Sequence, residues 1–275
     1  TALTNNVFTQ LAGMVVDAGL VETLRGGPFT VFAPTDTAFA KLPVDMLHAV
    51  QDADGGKLVA TVLTHHVVAG TITPDQLVAG PLTTVAGTTI TITKVGDSFY
   101  ADGNLIGAGV EATNGYVYVM NDVLVPAIGD IVDVAVAFKD CCFSTLVELV
   151  TQAELVDTLK GEGPFTVFAP ANAAFEALPA DTLAAVAGSA TLLAKVLTYH
   201  VVPGKITIDQ LTDGQKLTTV AGVDLTVTIT EETVTVGGTT SVQKVVNIDG
   251  NPILVQNVQA TNGVIHVMGA VLVPA

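Results

Sequence analysis

The sequence is poor in basic residues. Only 10 of its 275 residues are Lys or Arg, against 26 Asp or Glu, which gives a formal net charge of −16. Charged residues make up 13% of the chain, about half the usual share, so the imbalance comes from missing Lys and Arg and not from an acidic tail. A surface of this sign repels nucleic acid and anionic membranes. The composition therefore excludes a nucleic-acid-binding protein.

Long apolar runs, a leader sequence and a cysteine framework are also missing. No stretch approaches the roughly 18–20 apolar residues of a membrane helix, so no transmembrane segment is expected in this chain. The first residues, Thr1-Ala2-Leu3, have neither the basic start nor the apolar core of a signal peptide. The chain is therefore expected to be intracellular or to begin after processing. The two cysteines are adjacent, Cys141 and Cys142, which fits neither a disulfide framework nor a zinc pattern.

The sequence contains two copies of one repeat. Three segments recur in the same order: 27–34 as 163–170, 82–87 as 217–222, and 112–115 as 260–263. Two copies of this length predict tandem globular domains and not a solenoid. The offset grows from 135 residues (82 to 217) to 148 (112 to 260), so the second copy carries about 13 extra residues.

The ends of the repeats predict the domain limits. The chain closes with Val-Leu-Val-Pro-Ala at 271–275, which matches 123–127. The first domain is therefore expected over 1–127, with its N-terminal helix short or missing, and the second over 128–275. The extra residues of the second copy are expected in a longer hairpin near 233–246.

Helices are expected before strands in each copy. Asp130 is a suitable N-cap for a helix whose apolar face repeats at i, i+3, i+4 and i+7 from Ile131. Asp36 and its counterpart Asn172 are expected to cap a short helix in the same way. Phe29–Ala33 is typical of a short buried strand, with Phe32 in the core.

After Gly70 the apolar pattern changes to a period of two. Thr89–Thr93 and Asp224–Ile229 alternate, with Thr predicted to face solvent. Asn114-Gly115 and Asn262-Gly263 predict turns that lead into a further strand. The fold class is therefore α+β, with helices packed at one end or face of a mostly antiparallel β-sandwich.

These segments together resemble the fasciclin-like (FAS1) domain family. The sequence 30–39, Thr-Val-Phe-Ala-Pro-Thr-Asp-Thr-Ala-Phe, is similar to the first signature box of the family, 62–68 to the second, and 121–126 to its closing strand. All three return in the second copy, so the resemblance implies two tandem FAS1-type domains. It also implies a secreted or cell-surface-anchored protein of adhesion or the extracellular matrix, whose signal peptide and anchor lie outside this chain. A minority of members resemble carriers of apolar molecules such as carotenoids.

A Tyr-His pair flanked by branched residues is proposed for receptor recognition in some animal members of the family. The second copy matches this pair at Tyr199-His200, whereas the first copy has His65-His66 in its place. The resemblance therefore implies Tyr199 and His200, with His65 and His66 as their counterparts, as candidates for receptor or partner contact. Neither an Arg-Gly-Asp triplet nor an Asn-x-Ser/Thr sequon occurs.

The residues show no pattern of a metal or catalytic site. Adjacent histidines on a helix point about 100° apart and cannot share one metal ion. His66 and His200 are therefore expected to be structural residues that hydrogen-bond backbone carbonyls at a helix end, where the helix dipole favours a charged imidazole. Metal, catalytic and receptor roles remain the alternatives. The four serines lack a Gly-x-Ser-x-Gly context. The two Asp-Gly-Asn sequences, at 102–104 and 249–251, lack a calcium-loop ladder and predict tight turns. No cofactor, no metal and no enzymatic activity are expected.

Two further features leave alternatives open. Cys141 and Cys142 fall in a loop before a helix near Ser144, and are either one buried and one exposed thiol, a vicinal disulfide, or an intermolecular bridge. The candidates for contact with an apolar ligand are the aromatic residues least needed by the core: Phe99, Tyr100, Tyr116 and Tyr118.

The sequence as a whole predicts a non-enzymatic adhesion or matrix-interaction protein. Its expected partners are a cell-surface receptor, a matrix protein or a polysaccharide, with self-association possible in principle and avidity gained from two linked modules. The alternative function is a carrier of an apolar small molecule such as a carotenoid or a lipid.

Overall fold

A computed structural model describes residues 7–42, 57–236 and 239–274. The chain divides into two compact units. The first contains the residues up to Pro126 together with 232–243, and the second contains Ala127–Glu231 together with Lys244 onwards. We keep 1–127 and 128–275 as a proposal for the domain limits.

The described part of the first unit starts with two helices, and strands follow them. In chain order its elements are α1 Thr9–Asp17, α2 Val21–Arg25, β1 Phe29–Pro34, α3 Asp36–Ala40, α4 Lys57–His65, β2 Val67–Ala69, β3 Gly80–Thr83, β4 Thr89–Val95, β5 Ser98–Ala101, β6 Asn104–Ala112 and β7 Gly115–Met120. The predicted short strand and the alternating strand are confirmed as β1 and β4. Pro43 also suits the first turn of a further helix, which would lie outside the described residues.

The second copy of the repeat shows the same order, preceded by a helix at Ile131–Ala137, and its residues 232–243 group with the first compact unit. Its elements are α5 Ile131–Ala137, a π-helical turn Lys139–Phe143, α6 Ser144–Gln152, α7 Val156–Leu159, β8 Phe165–Pro170, α8 Asn172–Glu176, α9 Ala180–Ala187, α10 Ala190–Tyr199, β9 Val201–Pro203, a 3₁₀ turn Ile208–Gln210, β10 Lys216–Thr218, β11 Asp224–Val236, β12 Thr239–Ile248, β13 Asn251–Ala260 and β14 Gly263–Met268. β11 and β12 are 13 and 10 residues long, against 7 and 4 for β4 and β5.

Each unit contains one seven-stranded sheet with the same strand order. The order is β2-β1-β7-β6-β5-β4-β3 in the first unit and β9-β8-β14-β13-β12-β11-β10 in the second. In the first unit the two ends of this order approach each other, because Val68 in β2 forms a bridge with Thr84, directly after β3. The sheet is therefore strongly curved, and its concave side encloses a core. The predicted α+β class is confirmed.

Each sheet contains one parallel strand pair at its centre, and this pair explains why glycine follows the turn asparagine at Gly115 and Gly263. β1 pairs with β7 in parallel, with Phe29 opposite Gly115. A Cβ atom at Gly115 would lie 1.8 Å from the Phe29 carbonyl oxygen, and one at Gly263 would lie 2.1 Å from that of Phe165. The strands can approach this closely only because these positions lack a side chain.

The core of each unit is built from inward-facing strand residues around one phenylalanine. Phe32 in the first unit and Phe168 in the second are both 0% exposed, which confirms the predicted core position of these residues. The residues packed around them include Ile90, Ile92, Tyr118, Met120 and Leu124 in the first unit, and Tyr199, Leu225, Val227, Ile248 and Met268 in the second.

The predicted N-cap of α5 is confirmed, and the predicted N-caps of α3 and α8 are wrong. Asp130 caps α5, since its side chain accepts hydrogen bonds from the N–H groups of Val132 (2.8 Å) and Asp133 (2.9 Å). Asp36 and Asn172 do not cap α3 and α8, whose N-caps are Thr35 and Ala171.

Asp36 and Asn172 instead bind the first turn of an earlier helix. The Asp36 carboxylate accepts from the N–H groups of Thr9 (3.1 Å) and Gln10 (2.8 Å) of α1. Asn172 Oδ1 accepts from the N–H of Thr145 in α6 at 3.2 Å. The residue type indicated a helix N-terminus, but the helix that it caps is adjacent in space and not in sequence.

No single helix within the described ranges is long and apolar enough to cross a membrane. One bent pair, Asp181–Ala187 with Ala190–Tyr199, passes the same test of length and composition with a bend of 102°.

Candidate functional site

The candidate contact residues lie where a helix ends and the chain enters the sheet. α4 ends at His65 and α10 ends at Tyr199, and each is followed by a histidine and a strand that starts with valine. Because β2 and β9 pair with the central strands β1 and β8, these residues are carried into the interior of their units. His65, His66, Tyr199 and His200 are all buried.

His66 links the end of α4 to the closing segment of the first unit. Its Nε2 accepts a hydrogen bond from the Leu124 N–H at 2.9 Å. Its Nδ1 must therefore carry the proton, which it donates to the Val62 carbonyl oxygen at 2.7 Å. Burial lowers the pKa of His66 to about 3, against the smaller opposing effect of its bond to Val62.

His200 makes the same two bonds in the second unit. Its Nε2 accepts from the Leu272 N–H at 2.9 Å, and its Nδ1 donates to Val196 O at 2.8 Å. Burial lowers its pKa to about 4. The geometry therefore supports the structural role of His66 and His200. The expected charged form is wrong: burial costs the imidazolium more free energy than the helix dipole supplies, so both rings are neutral at pH 7.

The preceding position differs between the units. Tyr199 OH donates to Asp249 Oδ2 at 2.7 Å, and burial together with this bond raises its pKa. In the first unit His65 Nε2 lies 3.5 Å from Asp102 Oδ2, and its Nδ1 lies 2.6 Å from Thr88 Oγ1. In both units the helix end therefore contacts the aspartate of a strand-connecting turn.

Asp102 and Asp249 are contacts of the helix ends that the sequence analysis did not connect to His65 and Tyr199. Each adopts a positive φ in its Asp-Gly turn (48° and 49°), which agrees with the predicted tight turns. Each also accepts a backbone N–H from the neighbouring strand at 2.8 Å, from Thr91 and Thr226 respectively. Their recurrence before Gly-Asn in both copies is the signal that could have identified them.

The burial of the candidate contact residues makes direct contact with a receptor difficult. Tyr199 and His200 are 5% and 3% exposed, and their polar atoms bind groups of their own unit. Neither side chain is presented to a partner, and the same holds for His65 and His66. A receptor role for these residues stays a prediction, and its effect on recognition would act through the fold.

The aromatic residues proposed for an apolar ligand belong to the first unit's core. Tyr118 is 3% exposed, stacks on Phe32 with a centroid distance of 5.6 Å, and donates its hydroxyl to Ile72 O at 3.1 Å. Tyr116 and Phe99 pack against the same cluster. Tyr100, half-buried, lies in β5 opposite Leu105. The contacts of Tyr118, Tyr116 and Phe99 are core packing, and a ligand role for the four residues stays a prediction.

Cys141 and Cys142 are thiols in this structure and do not form a vicinal disulfide. They lie in the π-helical turn 139–143 and not in the expected loop, although the next helix begins at Ser144 as predicted. Cys142 is buried, and the half-buried Cys141 Sγ contacts the Phe138 carbonyl oxygen at 3.2 Å. Within the described ranges, no three His, Cys, Asp or Glu residues are grouped so that they could hold a metal ion.

Comparison with known proteins identifies both units. The fasciclin domain model matches twice, over residues 6–126 and 142–274. Protein sll1483 of Synechocystis is 43% identical over 143 residues, which cover 51% of this chain and 72% of that protein. Transforming growth factor-beta-induced protein ig-h3 of Sus scrofa is 29% identical over 256 residues, covering 90% of this chain. The chain spans only about a third of the length of ig-h3, 35%.

A solved structure is also similar along the whole chain. It is a FAS1 domain pair from the insect cell adhesion molecule fasciclin I, with 17% sequence identity, a TM-score of 0.44 and 98% coverage of both chains. Neither the family nor the relatives found indicate an enzyme family. With both of its units matched, the chain belongs to the fasciclin domain family.

Proposed function

We propose that the chain is a non-enzymatic adhesion or matrix-interaction protein, secreted or held at the cell surface, that binds protein or glycan partners through the outer faces of its two units. The observation that carries the proposal is the double match to the fasciclin domain, over 6–126 and 142–274 of one chain. Two linked modules that each bind weakly gain avidity when both can engage one surface.

The positions of the buried histidines favour a binding protein over an enzyme. His66, His200 and His266 are buried, and both nitrogens of each ring are engaged by backbone groups of the same unit. A general base needs access to a substrate proton. These histidines instead hold strands and helix ends together.

A repeated outer face offers the contact surface. In β4 Thr89 and Thr91 are exposed while Ile90 and Ile92 are buried. The equivalent strand β11 buries Leu225 and leaves Thr226 half-buried. The threonine face has little charge in an acidic protein, which suits hydrogen bonding to a polysaccharide or to a protein of the matrix.

The test is binding of the folded full chain to matrix proteins, polysaccharides and cells, with one variant in each unit. Thr91→Lys and Thr226→Lys should each weaken binding severalfold, and the double variant should weaken it far more, because avidity is lost. Thr23→Lys, at an exposed site of α2, is the matched control and should bind as the wild type does. Absence of saturable binding by the wild type, or equal loss in the control, would contradict the proposal.

A further inference from the structure

The outer face of the first unit's sheet carries an aromatic side chain among its threonines. Because Ile90 and Ile92 of β4 point into the core, the threonines that alternate with them point outward. In β5, Tyr100 pairs with Thr93 and therefore lies on the same outer face. The register of β3, β4 and β5 places six side chains on this face, which we call the tyrosine face: Pro81, Thr83, Thr89, Thr91, Thr93 and Tyr100.

The tyrosine face is uncharged and is open to solvent over most of its members. Pro81, Thr83, Thr89 and Thr91 are exposed, and Tyr100 is half-buried. None of the six side chains carries a charge at pH 7. Neighbouring side chains on one face of a sheet are about 5 Å apart across the strands and about 7 Å apart along a strand. The threonine hydroxyls therefore form a regular array that can donate to and accept from an extended partner.

The backbone beneath the tyrosine face is held by strand pairing and by one aspartate. β4 pairs with both β3 and β5. The Thr91 N–H donates to Asp102 Oδ1 at 2.8 Å, and the Asp102 N–H donates to the Thr91 carbonyl oxygen at 2.9 Å. Because Asp102 follows Tyr100 by two residues, these bonds also fix the end of β5. A surface that is held in this way loses little conformational freedom when it binds a partner.

The equivalent face of the second unit has a different chemistry. Strand pairing identifies three positions at which the two units differ: Lys216 stands in the place of Pro81, Asp224 in the place of Thr89, and Asn247 in the place of Tyr100. At these positions the second unit presents two charged side chains and no aromatic ring. The tyrosine face is therefore a property of the first unit.

An aromatic ring among hydroxyl groups has the surface chemistry that binds sugars. A sugar ring whose hydroxyls are equatorial exposes C–H groups on its two faces, and these pack against the electron-rich face of a tyrosine ring. Its hydroxyls then point sideways, toward the threonines that surround Tyr100. An anionic polysaccharide would meet no cation among the six side chains and would be repelled by the net charge of −16.

We propose that the tyrosine face of the first unit binds a neutral polysaccharide of equatorially substituted sugars, with Tyr100 stacked on one sugar ring. This inference rests on the proposed function, because it names the class of partner that one of the outer faces takes. Tyr100 buries the apolar face of the sugar, and the threonines bind its hydroxyl groups.

The test is isothermal titration calorimetry of the full chain with three neutral hexasaccharides: cellohexaose, laminarihexaose and xylohexaose. Hexagalacturonate, which has a carboxylate on every ring, is the anionic control. We expect saturable binding of at least one neutral probe, and binding of hexagalacturonate that is weaker by about tenfold or more at low salt.

Variants that exchange residues between the units locate the site. Tyr100→Asn and Thr89→Asp introduce the residues that the second unit has at these positions. Tyr100→Asn should weaken binding of the neutral probe by about tenfold or more, because the ring is lost. Thr89→Asp, at an exposed site, should weaken it severalfold. Tyr100→Phe keeps the ring and should keep most of the affinity, and Asn247→Ala, at the equivalent position of the second unit, should bind as the wild type does.

The proposal is overturned if no neutral probe binds saturably, if hexagalacturonate binds as tightly as the neutral probes, or if folded Tyr100→Asn or Thr89→Asp keeps full affinity. A wild type that attaches to cells or to matrix proteins but binds no neutral hexasaccharide would contradict this inference alone and leave the proposed function standing. A wild type that binds none of these partners would contradict both.

Discussion

Single side chains at repeat-equivalent positions make different hydrogen bonds in the two units. Tyr118 stacks on Phe32 and donates to the Ile72 carbonyl, while His266 stacks on Phe168 at 5.4 Å and donates to the Ile206 carbonyl at 3.0 Å. Both units therefore place a ring with one hydrogen-bond donor at this position. Because His266 Nδ1 accepts from the Asn257 N–H, the histidine fills this position in its neutral form.

A first prediction concerns His266→Tyr and the pH dependence of stability. Burial lowers the pKa of His266 to about 4, so the unfolded chain takes up a proton first as the pH falls below about 6.5. Stability from this residue is therefore complete above pH 6.5 and is lost progressively down to about pH 4. His266→Tyr should reduce the slope of unfolding free energy in this window by about 1.4 kcal/mol per pH unit.

Urea unfolding of the full chain at several pH values between 7 and 4.5 measures this slope. The mirror variant Tyr118→His should add a similar slope to the transition of the first unit. An unchanged slope in His266→Tyr would show that the pKa of His266 is the same in the folded and the unfolded chain, which contradicts the prediction.

A second prediction concerns the two core phenylalanines. Phe32→Ala and Phe168→Ala should each lower the unfolding free energy by about 3–5 kcal/mol, because each side chain is fully buried and its removal leaves a cavity. Val16→Ala, at a position 63% exposed, is the control and should change it by less than about 0.5 kcal/mol. A loss below about 1 kcal/mol for either phenylalanine would contradict the central position of β1 or β8.

At the scale of helices and strands, one side chain connects two helices that are distant in sequence. Asp36 lies in the first turn of α3, yet its carboxylate binds the first N–H groups of α1. Asn172 relates α8 to α6 in the same way. The capping interaction therefore fixes helix packing as well as a helix end.

A third prediction follows for Asp36→Ala. Loss of the cap should cost about 1 kcal/mol and should speed amide hydrogen exchange at Thr9 and Gln10. Asp17→Ala, at the other end of α1, is the control and should leave exchange at these two amides unchanged. Unaltered exchange in Asp36→Ala would show that the carboxylate does not cap α1.

Much of the fold follows from local patterns in the sequence, and the rest depends on contacts between distant segments. The alternation in Thr89–Thr93 and the cap at Asp130 were predictable because the evidence lies within a few residues. The helix capped by Asp36, the parallel pairing of β1 with β7 and the burial of Tyr199-His200 depend on tertiary contacts.

At the scale of the whole molecule, the units share a fold but present different interiors. The second unit has a cavity of about 360 Å³ where the equivalent residues of the first surround about 10 Å³. The outer threonine strands, in contrast, recur in both units. We therefore propose adhesion through the outer strand faces that the two units share.

A fourth prediction separates fold from recognition at the Tyr-His pair. Tyr199→Phe removes the hydroxyl bound to Asp249 and should cost about 1 kcal/mol, because the exposed Asp249 can bind water instead. Thermal unfolding measures this loss. A stability loss several times larger would mean that the Tyr199–Asp249 bond supports more of the second unit than its geometry indicates.

The most direct test of the account is attachment of cells or matrix proteins to surfaces coated with folded wild type and folded Tyr199→Phe, at a temperature where thermal unfolding shows both to be native. We expect saturable attachment of equal strength to the two proteins, because the contact surface that we propose is the outer faces and Tyr199 is buried. No attachment to the wild type, or attachment that is lost in natively folded Tyr199→Phe, would contradict it.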